Sequence, residues 1–125
     1  MKKNLLLGFV IVSLGAAAIA QADCTYPRAP DRMPDGSTAS LDDMKSAKGQ
    51  VEKYNKDMEA YLSCIKLERD DSMAKQGSAL SEDQKKQMNQ MYAQKNDAAV
   101  DELQAVAARF NDQVKAYKAK HPPKN

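Results

Sequence analysis

The sequence is poor in the residue types on which most enzyme sites depend. Its 125 residues include no tryptophan, two phenylalanines, two cysteines and a single histidine, His121, which stands beside Pro122 near the C-terminus. A catalytic base must be held in place by its surroundings, and a histidine in a short proline-ended tail is not. The many carboxylates are spread along the chain as on solvated helix faces. We therefore predict no catalytic residue, no cofactor and no enzymatic activity.

Strand and zinc signals are also lacking. No run of alternating apolar and polar residues occurs, which is the usual pattern of a half-buried strand. Two cysteines do not make up a four-ligand zinc set, and neither a further cysteine nor a nearby histidine completes one. The sequence therefore predicts an all-α fold without a metal site.

The N-terminus has the three-part layout of a secretory signal peptide. Lys2 and Lys3 precede an apolar run over residues 5–20, and the small residues Ala20 and Ala22 follow in the positions that a signal peptidase prefers. The run is shorter than the roughly 20 residues that span a bilayer. We predict a signal peptide at 1–22, a mature chain that is periplasmic or secreted, and no stable membrane insertion after cleavage. An uncleaved anchor is the alternative.

The net charge gives no support to nucleic-acid binding. The formal charge of +2 belongs to Lys2 and Lys3, so the chain after residue 22 has 17 basic and 17 acidic side chains. Proteins that bind polyanions without a dedicated site usually carry a clear basic excess. We predict no nucleic-acid partner.

The two cysteines predict one disulfide. Exported proteins meet an oxidising environment in which cysteine pairs are bridged. Cys24 and Cys64 allow a single intramolecular connection. The alternatives are a metal-binding pair and a bridge to another molecule, and we favour the internal bond.

Composition divides the remaining chain into an arm, two helices and a tail. Three prolines, Pro27, Pro30 and Pro34, predict an extended conformation for the first segment because proline fixes φ and lacks a backbone donor. The predicted segments are a Pro-rich arm at 23–40, a helical hairpin at 41–120 with helices at about 41–76 and 81–120, and a disordered tail at 121–125.

The first helix shows a seven-residue repeat. Ser40 is a good N-cap residue, and apolar residues then recur as in a helix that packs lengthwise against another, the pattern of a coiled-coil seam. Gly49 predicts a kink or a close backbone approach, and Gly77 predicts the end of the helix. The rows consist of Met44, Val51, Met58 and Ile65, and of Ala47, Tyr54 and Tyr61.

The second helix begins with a capping-box pattern and carries its own apolar side. Ser81 and Gln84 have the spacing of a capping box. A short connection between two long helices predicts an antiparallel hairpin. The first half of this helix is weakly apolar and is expected to pack loosely. The predicted apolar side consists of Met88, Tyr92, Ala99, Leu103, Val106, Phe110, Val114 and Tyr117.

The length of the arm determines the path that it must take for Cys24 to reach Cys64. Cys64 lies roughly 36 Å along the first helix, and the arm can extend over about 50 Å. The arm must therefore turn at Asp35 and Gly36 and run back along the helix. We predict that the disulfide pins the arm there as a third layer, in which Tyr26 and the prolines cover the apolar seam. The alternative is dimerisation into a four-helix bundle.

Part of the chain resembles a known family. Residues 24–65 contain the motifs CTYPRAP, PDG and YLSC, and AS followed by Met44, Val51 and Tyr54. Through these motifs, this part of the chain resembles a family of short, exported, uncharacterised proteobacterial proteins. The resemblance implies export and a disulfide. The family has no known activity, so the resemblance adds no catalytic residue.

The leading functional hypothesis is a non-enzymatic protein that acts as an interaction module or as a structural part of the cell envelope. In a chaperone-like version of this hypothesis, the protein holds other polypeptides. Its partner would be another protein or a second copy of the chain. Tyr54, Met58, Tyr61 and Tyr92 form an apolar stripe. If the second helix covers this stripe it is core, and if not it is a groove for partner chains. We expect core, with partial exposure at the open half of the hairpin.

The alternative hypothesis is a copper-binding or stress-responsive protein. Met88 and Met91 are three residues apart, so both thioethers can lie on one helical face and bind a soft ion such as Cu(I). Methionine more often fills irregular seams between helices. With no third methionine or histidine within a turn, we favour packing and predict no metal site.

Overall fold

Two long helices make up most of the fold. The computed structural model describes residues 24–123, so the predicted signal peptide at 1–22 lies outside the described residues. Helix α1 spans Leu41–Gln76 and helix α2 spans Glu82–Lys120, and the two pack against each other as an antiparallel hairpin. Residues 24–123 contain no strand. The prediction of an all-α hairpin is confirmed.

Capping boxes fix where both helices begin. The Ser40 hydroxyl accepts from the Asp43 amide at 3.1 Å, while the Asp43 carboxylate accepts from the Ser40 amide at 3.0 Å. Ser81 and Gln84 make the same reciprocal pair. Each pair provides partners for backbone donors that a helix start leaves open. Helix α2 was predicted from 81, but Ser81 is its cap and the helix begins one residue later.

Most of the fully buried residues belong to α1. They form the predicted seven-residue rows, since α1 is covered by α2 on one side and by the arm on another. Of the apolar side predicted for α2, only Ala99 and Val106 are buried and the other members are half-buried. The buried residues of α1 are Met44, Ala47, Val51, Tyr54, Met58, Tyr61 and Ile65.

The arm runs back along α1 and is bonded to it covalently. Cys24 and Cys64 form a disulfide with 5.7 Å between their Cα atoms, so the predicted pairing is confirmed. Ala29 and Met33 of the arm pack against the buried cluster together with Cys24. Because the bond closes a loop of 40 residues, it can stabilise the fold by about 4 kcal/mol in the chain-entropy model.

The arm turns at Gly36, which touches α2. The Gly36 amide donates to the Gln113 side chain at 2.9 Å, and a Cβ atom at this position would overlap the Gln113 carbonyl group. Only glycine allows this approach. Of the two alternatives predicted for Gly49, a kink or a close approach, the close approach is wrong, because Gly49 is exposed and a Cβ there would meet nothing within 4 Å.

Candidate functional site

The arm divides the hairpin into two halves. It lies over the groove between the helices from Gly36, which contacts α2, to Cys24, which is bonded to α1. We call residues 41–65 with 99–120 the arm-covered half and residues 66–98 the loop half. All nine buried hydrophobic residues belong to the arm-covered half, and no described residue of the loop half is buried.

A tyrosine of the arm is bonded to α2 at the edge of the groove, where Tyr26 is 41% exposed. The Tyr26 hydroxyl donates to a carboxylate oxygen of Glu102 at 2.6 Å, and the Tyr26 ring packs edge-on against Tyr61 with 4.9 Å between the ring centres. Partial desolvation raises the pKa of the Tyr26 phenol above its usual value and the hydrogen bond to Glu102 raises it further, although solvent at this 41% exposed residue moderates the first effect. Tyr26 therefore acts as a hydrogen-bond donor that holds the arm.

A second tyrosine hydroxyl lies close to the same carboxylate. Tyr54 is 2% exposed, and its hydroxyl has no hydrogen-bond partner among the described residues. Burial and then the negative charge of Glu102 raise the pKa of the Tyr54 phenol, while Arg109 opposes this effect. A phenol whose pKa is raised stays protonated near neutral pH, so the phenolate that would act as a base or nucleophile is scarcely present. This cluster is therefore suited to fastening the arm rather than to proton transfer.

A small cleft lies between the helices of the loop half. Its volume is about 80 Å³, and since a water molecule in the liquid occupies about 30 Å³, it has room for one apolar side chain. Met91 is 54% exposed and Met88 is half-buried. The lining residues are Ile65, Glu68, Arg69, Ser72, Met88, Met91, Tyr92 and Lys95.

The cleft continues the groove that the arm covers. Residues seven positions apart lie on nearly the same face of a helix. On α1, Glu68 follows Tyr61 by seven residues, and on α2, Lys95 precedes Glu102 by seven. Tyr61 and Glu102 are the residues that Tyr26 contacts, so the cleft lies on the arm's side of the hairpin, past the disulfide.

The cleft has partly apolar walls, and its rim carries two cations, Arg69 and Lys95, and one carboxylate, Glu68. The Arg69 guanidinium lies over the Tyr92 ring, 4.6 Å from its centre, and also pairs with Asp70 at 2.6 Å. Within residues 24–123, no ion pair neutralises Lys95. The charge of Lys95 is therefore open to a ligand that enters the cleft.

The predicted stripe is mostly core. Tyr54, Met58 and Tyr61 are buried, so they are not accessible as a binding groove in this conformation. Tyr92 is half-buried and lines the cleft. The expectation of a core with partial exposure at the open half is thus confirmed.

The predicted methionine pair does come together. Met88 and Met91 line the same cleft, but no other sulfur or imidazole is among its lining residues. Residues 24–123 hold no group of three or more His, Cys, Asp or Glu side chains arranged for a metal ion. His121 is exposed at the end of α2, where its ring stacks on Tyr117.

Two contacts of the arm with α2, Tyr26 with Glu102 and Gly36 with Gln113, were not predicted from the sequence. Glu102 resembles any carboxylate on a solvated helix face, and Gln113 resembles any surface amide, so neither carried a local signal. The Asp35-Gly36 turn was recognised, but its partner could be found only from the three-dimensional path of the arm.

A third site under the arm is less suited to binding. A cleft of about 190 Å³ lies between the arm and α1, lined in part by Arg28, Lys53 and Tyr54. Arg28 pairs with Asp31 and Lys53 pairs with Asp57. Because these exposed charges are already matched, the cleft offers no clear preference for a charged ligand.

Comparisons with known proteins do not identify the chain. No family model matches it, and neither a curated protein nor a solved structure gives a match. Neither helix in residues 24–123 has an apolar stretch long enough to cross a membrane. The function therefore has to be argued from the residues themselves.

Proposed function

We propose that this chain is a non-enzymatic exported protein that binds other polypeptides through its loop half, as an interaction or envelope-structural module. One observation carries the proposal. Helix α1 continues to Gln76 and helix α2 begins at Glu82, so residues 66–76 and 82–98 are helical although no side chain there is buried, and this half holds a cleft with partly apolar walls. Helices this long gain most of their stability from packing, so an uncovered half is a surface that a partner can cover.

The proposed location rests on two independent features. The leader pattern over residues 1–22 is typical of export. The disulfide between Cys24 and Cys64 supports a compartment outside the reducing cytosol, where such bonds persist. The periplasm or the exterior of the cell is the proposed site of action.

The chemistry of the cleft favours binding over turnover. Glu68, Ser72 and Lys95 line a shallow cleft and are not held by hydrogen bonds to one another. Catalytic groups need positions fixed within a fraction of an ångström and a site that excludes water. Side chains on an open rim are better suited to recognising a partner.

In-cell photo-crosslinking tests the proposal. A photoreactive amino acid replaces Met91 in the cleft, and a matched variant carries it at Gln104, an exposed position of the arm-covered half. We expect a specific polypeptide, either another protein or a second copy of this chain, to be captured from position 91 and not from 104. Absence of capture at both positions, or equal capture at both, would contradict the proposal.

A second candidate function is the binding of Cu(I). It is favoured by the placement of Met88 and Met91 in one cleft. It ranks lower because no third sulfur and no imidazole lines the cleft, and the unpaired Lys95 repels a cation. Titration of Cu(I) in competition with a chromophoric chelator tests it. Affinity that is unchanged in Met88→Leu/Met91→Leu would exclude the site, and a loss of at least tenfold would support it.

A further inference from the structure

We propose that the loop half binds an extended segment of a partner polypeptide, one that carries an apolar side chain and a carboxylate, in line with the arm. This inference rests on the proposed function and specifies the chemistry of the partner. The segment binds to the face of the loop half that holds Met88, Met91 and Lys95.

The arm itself shows what the groove between the helices accepts. It has no regular secondary structure from Cys24 to Pro30, and its three prolines favour an extended chain. It is held by side-chain packing and by a few directed bonds, one of them from Tyr26 to α2. An extended segment is thus the kind of ligand that this surface already binds within the molecule.

The disulfide fixes where the arm ends and the open groove begins. Cys24 is bonded at Cys64, and the cleft starts one residue further along α1, at Ile65. The arm cannot slide into the loop half while this bond is intact. The continuing groove is therefore left for a second chain.

The size of the cleft favours an extended ligand over a helix. A helix is about 10 Å wide with its side chains and would need a long apolar face to pack against. The cleft has a volume of about 80 Å³, which suits a single apolar side chain projecting from a strand-like backbone. Met88 and Met91 can adjust to side chains of different shape because methionine is flexible.

The charges at the rim indicate a carboxylate. Arg69 is already paired with Asp70, but Lys95 has no ion-pair partner within residues 24–123. Glu68 is exposed on the opposite helix and disfavours a second acidic group on its side. One acidic residue of the ligand, next to the apolar side chain and facing α2, satisfies this arrangement.

A peptide pool tests the inference on the oxidised protein isolated from an oxidising compartment. The pool consists of ten-residue synthetic peptides with proline at every third position and leucine, tyrosine, aspartate, lysine or serine elsewhere. Immobilised protein is washed, and the bound peptides are quantified by mass spectrometry. We expect peptides with leucine or tyrosine next to aspartate to be enriched at least threefold over those with lysine in its place.

Two variants connect the enrichment to the cleft. Lys95→Glu should reverse the preference from aspartate to lysine. Lys86→Glu is the matched control, since Lys86 lies in the same half but lines a different cleft with Met73, and it should leave the preference unchanged. A circular dichroism spectrum of each variant checks that the helices are intact.

The outcomes separate this inference from the proposed function. If position 91 captures a partner in cells while the pool shows no preference for aspartate, or both charge variants act alike, the inference is overturned and the proposed function stands. If position 91 captures nothing and the pool is not retained, both are overturned. A control peptide with alanine in place of each proline and a covalent side-chain cross-link that holds it helical would also overturn the inference if it were retained as strongly.

Discussion

The arm-covered half and the loop half are built from the same two helices, yet only one of them has a core. In the arm-covered half, side chains such as Met58 and Val106 are completely buried, whereas no described residue of the loop half is buried. Both halves contain methionine and tyrosine on the inner faces. The difference lies in the third layer, because two helices alone enclose too little volume to exclude water from the side chains between them.

The arm-covered half holds the stabilising core, and the loop half leaves its side chains accessible. Regions with few buried apolar contacts open at lower free-energy cost than the core and often carry binding surfaces. The disulfide stands at the boundary, since Cys64 is followed by Ile65, the last buried residue of α1. Four experiments test this division, in order of decreasing expected effect.

Removing the disulfide should have the largest effect. In Cys24→Ser/Cys64→Ser the unfolded chain regains the freedom of a 40-residue loop, so we expect the free energy of unfolding to fall by about 4 kcal/mol. Urea denaturation followed by circular dichroism measures the loss. A loss below about 1 kcal/mol would mean that the arm is held without the bond.

Truncating methionines in the two halves compares them directly. Met58 is 0% exposed, so Met58→Ala should cost about 3 kcal/mol through lost burial and a cavity. Met88→Ala in the loop half should cost less than about 1 kcal/mol because Met88 is only half-buried. Thermal unfolding of both variants gives the difference, and equal costs would contradict the division into halves.

Two glycines form a third comparison. Gly36→Ala should cost about 2 kcal/mol because the added methyl group overlaps the Gln113 backbone. Gly49→Ala should raise the free energy of unfolding by about 0.5 kcal/mol, since its methyl group meets open space in a helix. Chemical denaturation of both variants measures the two changes in the free energy of unfolding. A neutral Gly36→Ala would show that the turn of the arm does not press against α2.

The smallest expected effect concerns Tyr26 and pH. Its pKa is raised in the folded state above the ordinary value of 10.0, so above pH 10 the unfolded chain loses its proton first and stability should fall as pH rises. In Tyr26→Phe this decline should become shallower, with the remainder due to Tyr54, whose pKa is also raised.

The control for this titration is Tyr117→Phe, which leaves the contact with Glu102 intact. It is the reference for removing a phenol that does not contact Glu102, and Tyr26→Phe should change the decline more than this reference does. Denaturant midpoints measured between pH 7 and pH 11 provide the curves. Identical slopes in the unaltered protein and in Tyr26→Phe would show that Tyr26 does not contribute.

The fold followed from local patterns because each pattern had a local cause. The seven-residue rows predicted the buried face of α1, and the caps Ser40 and Ser81 predicted both helix starts to within one residue. The disulfide followed from the number of cysteines and from the length of the arm. These features depend on neighbours in sequence or on a simple distance.

The binding cleft could not be predicted in the same way. Tyr54 and Tyr92 belong to one stripe in sequence, but only Tyr54 lies in the half that the arm covers, so one is buried and the other is accessible. The role of Gly36 depends on Gln113, which is 77 residues away. Such outcomes depend on where the arm ends, which no local pattern encodes.

Hydrogen exchange tests the division between the halves most directly. Amide exchange of the oxidised protein, measured by mass spectrometry, should be at least about 100-fold slower in peptides from residues 44–65 and 99–117 than in helical peptides from residues 66–76 and 82–98. The same rate in both halves would contradict the claim that the arm creates the core and leaves the loop half open for a partner.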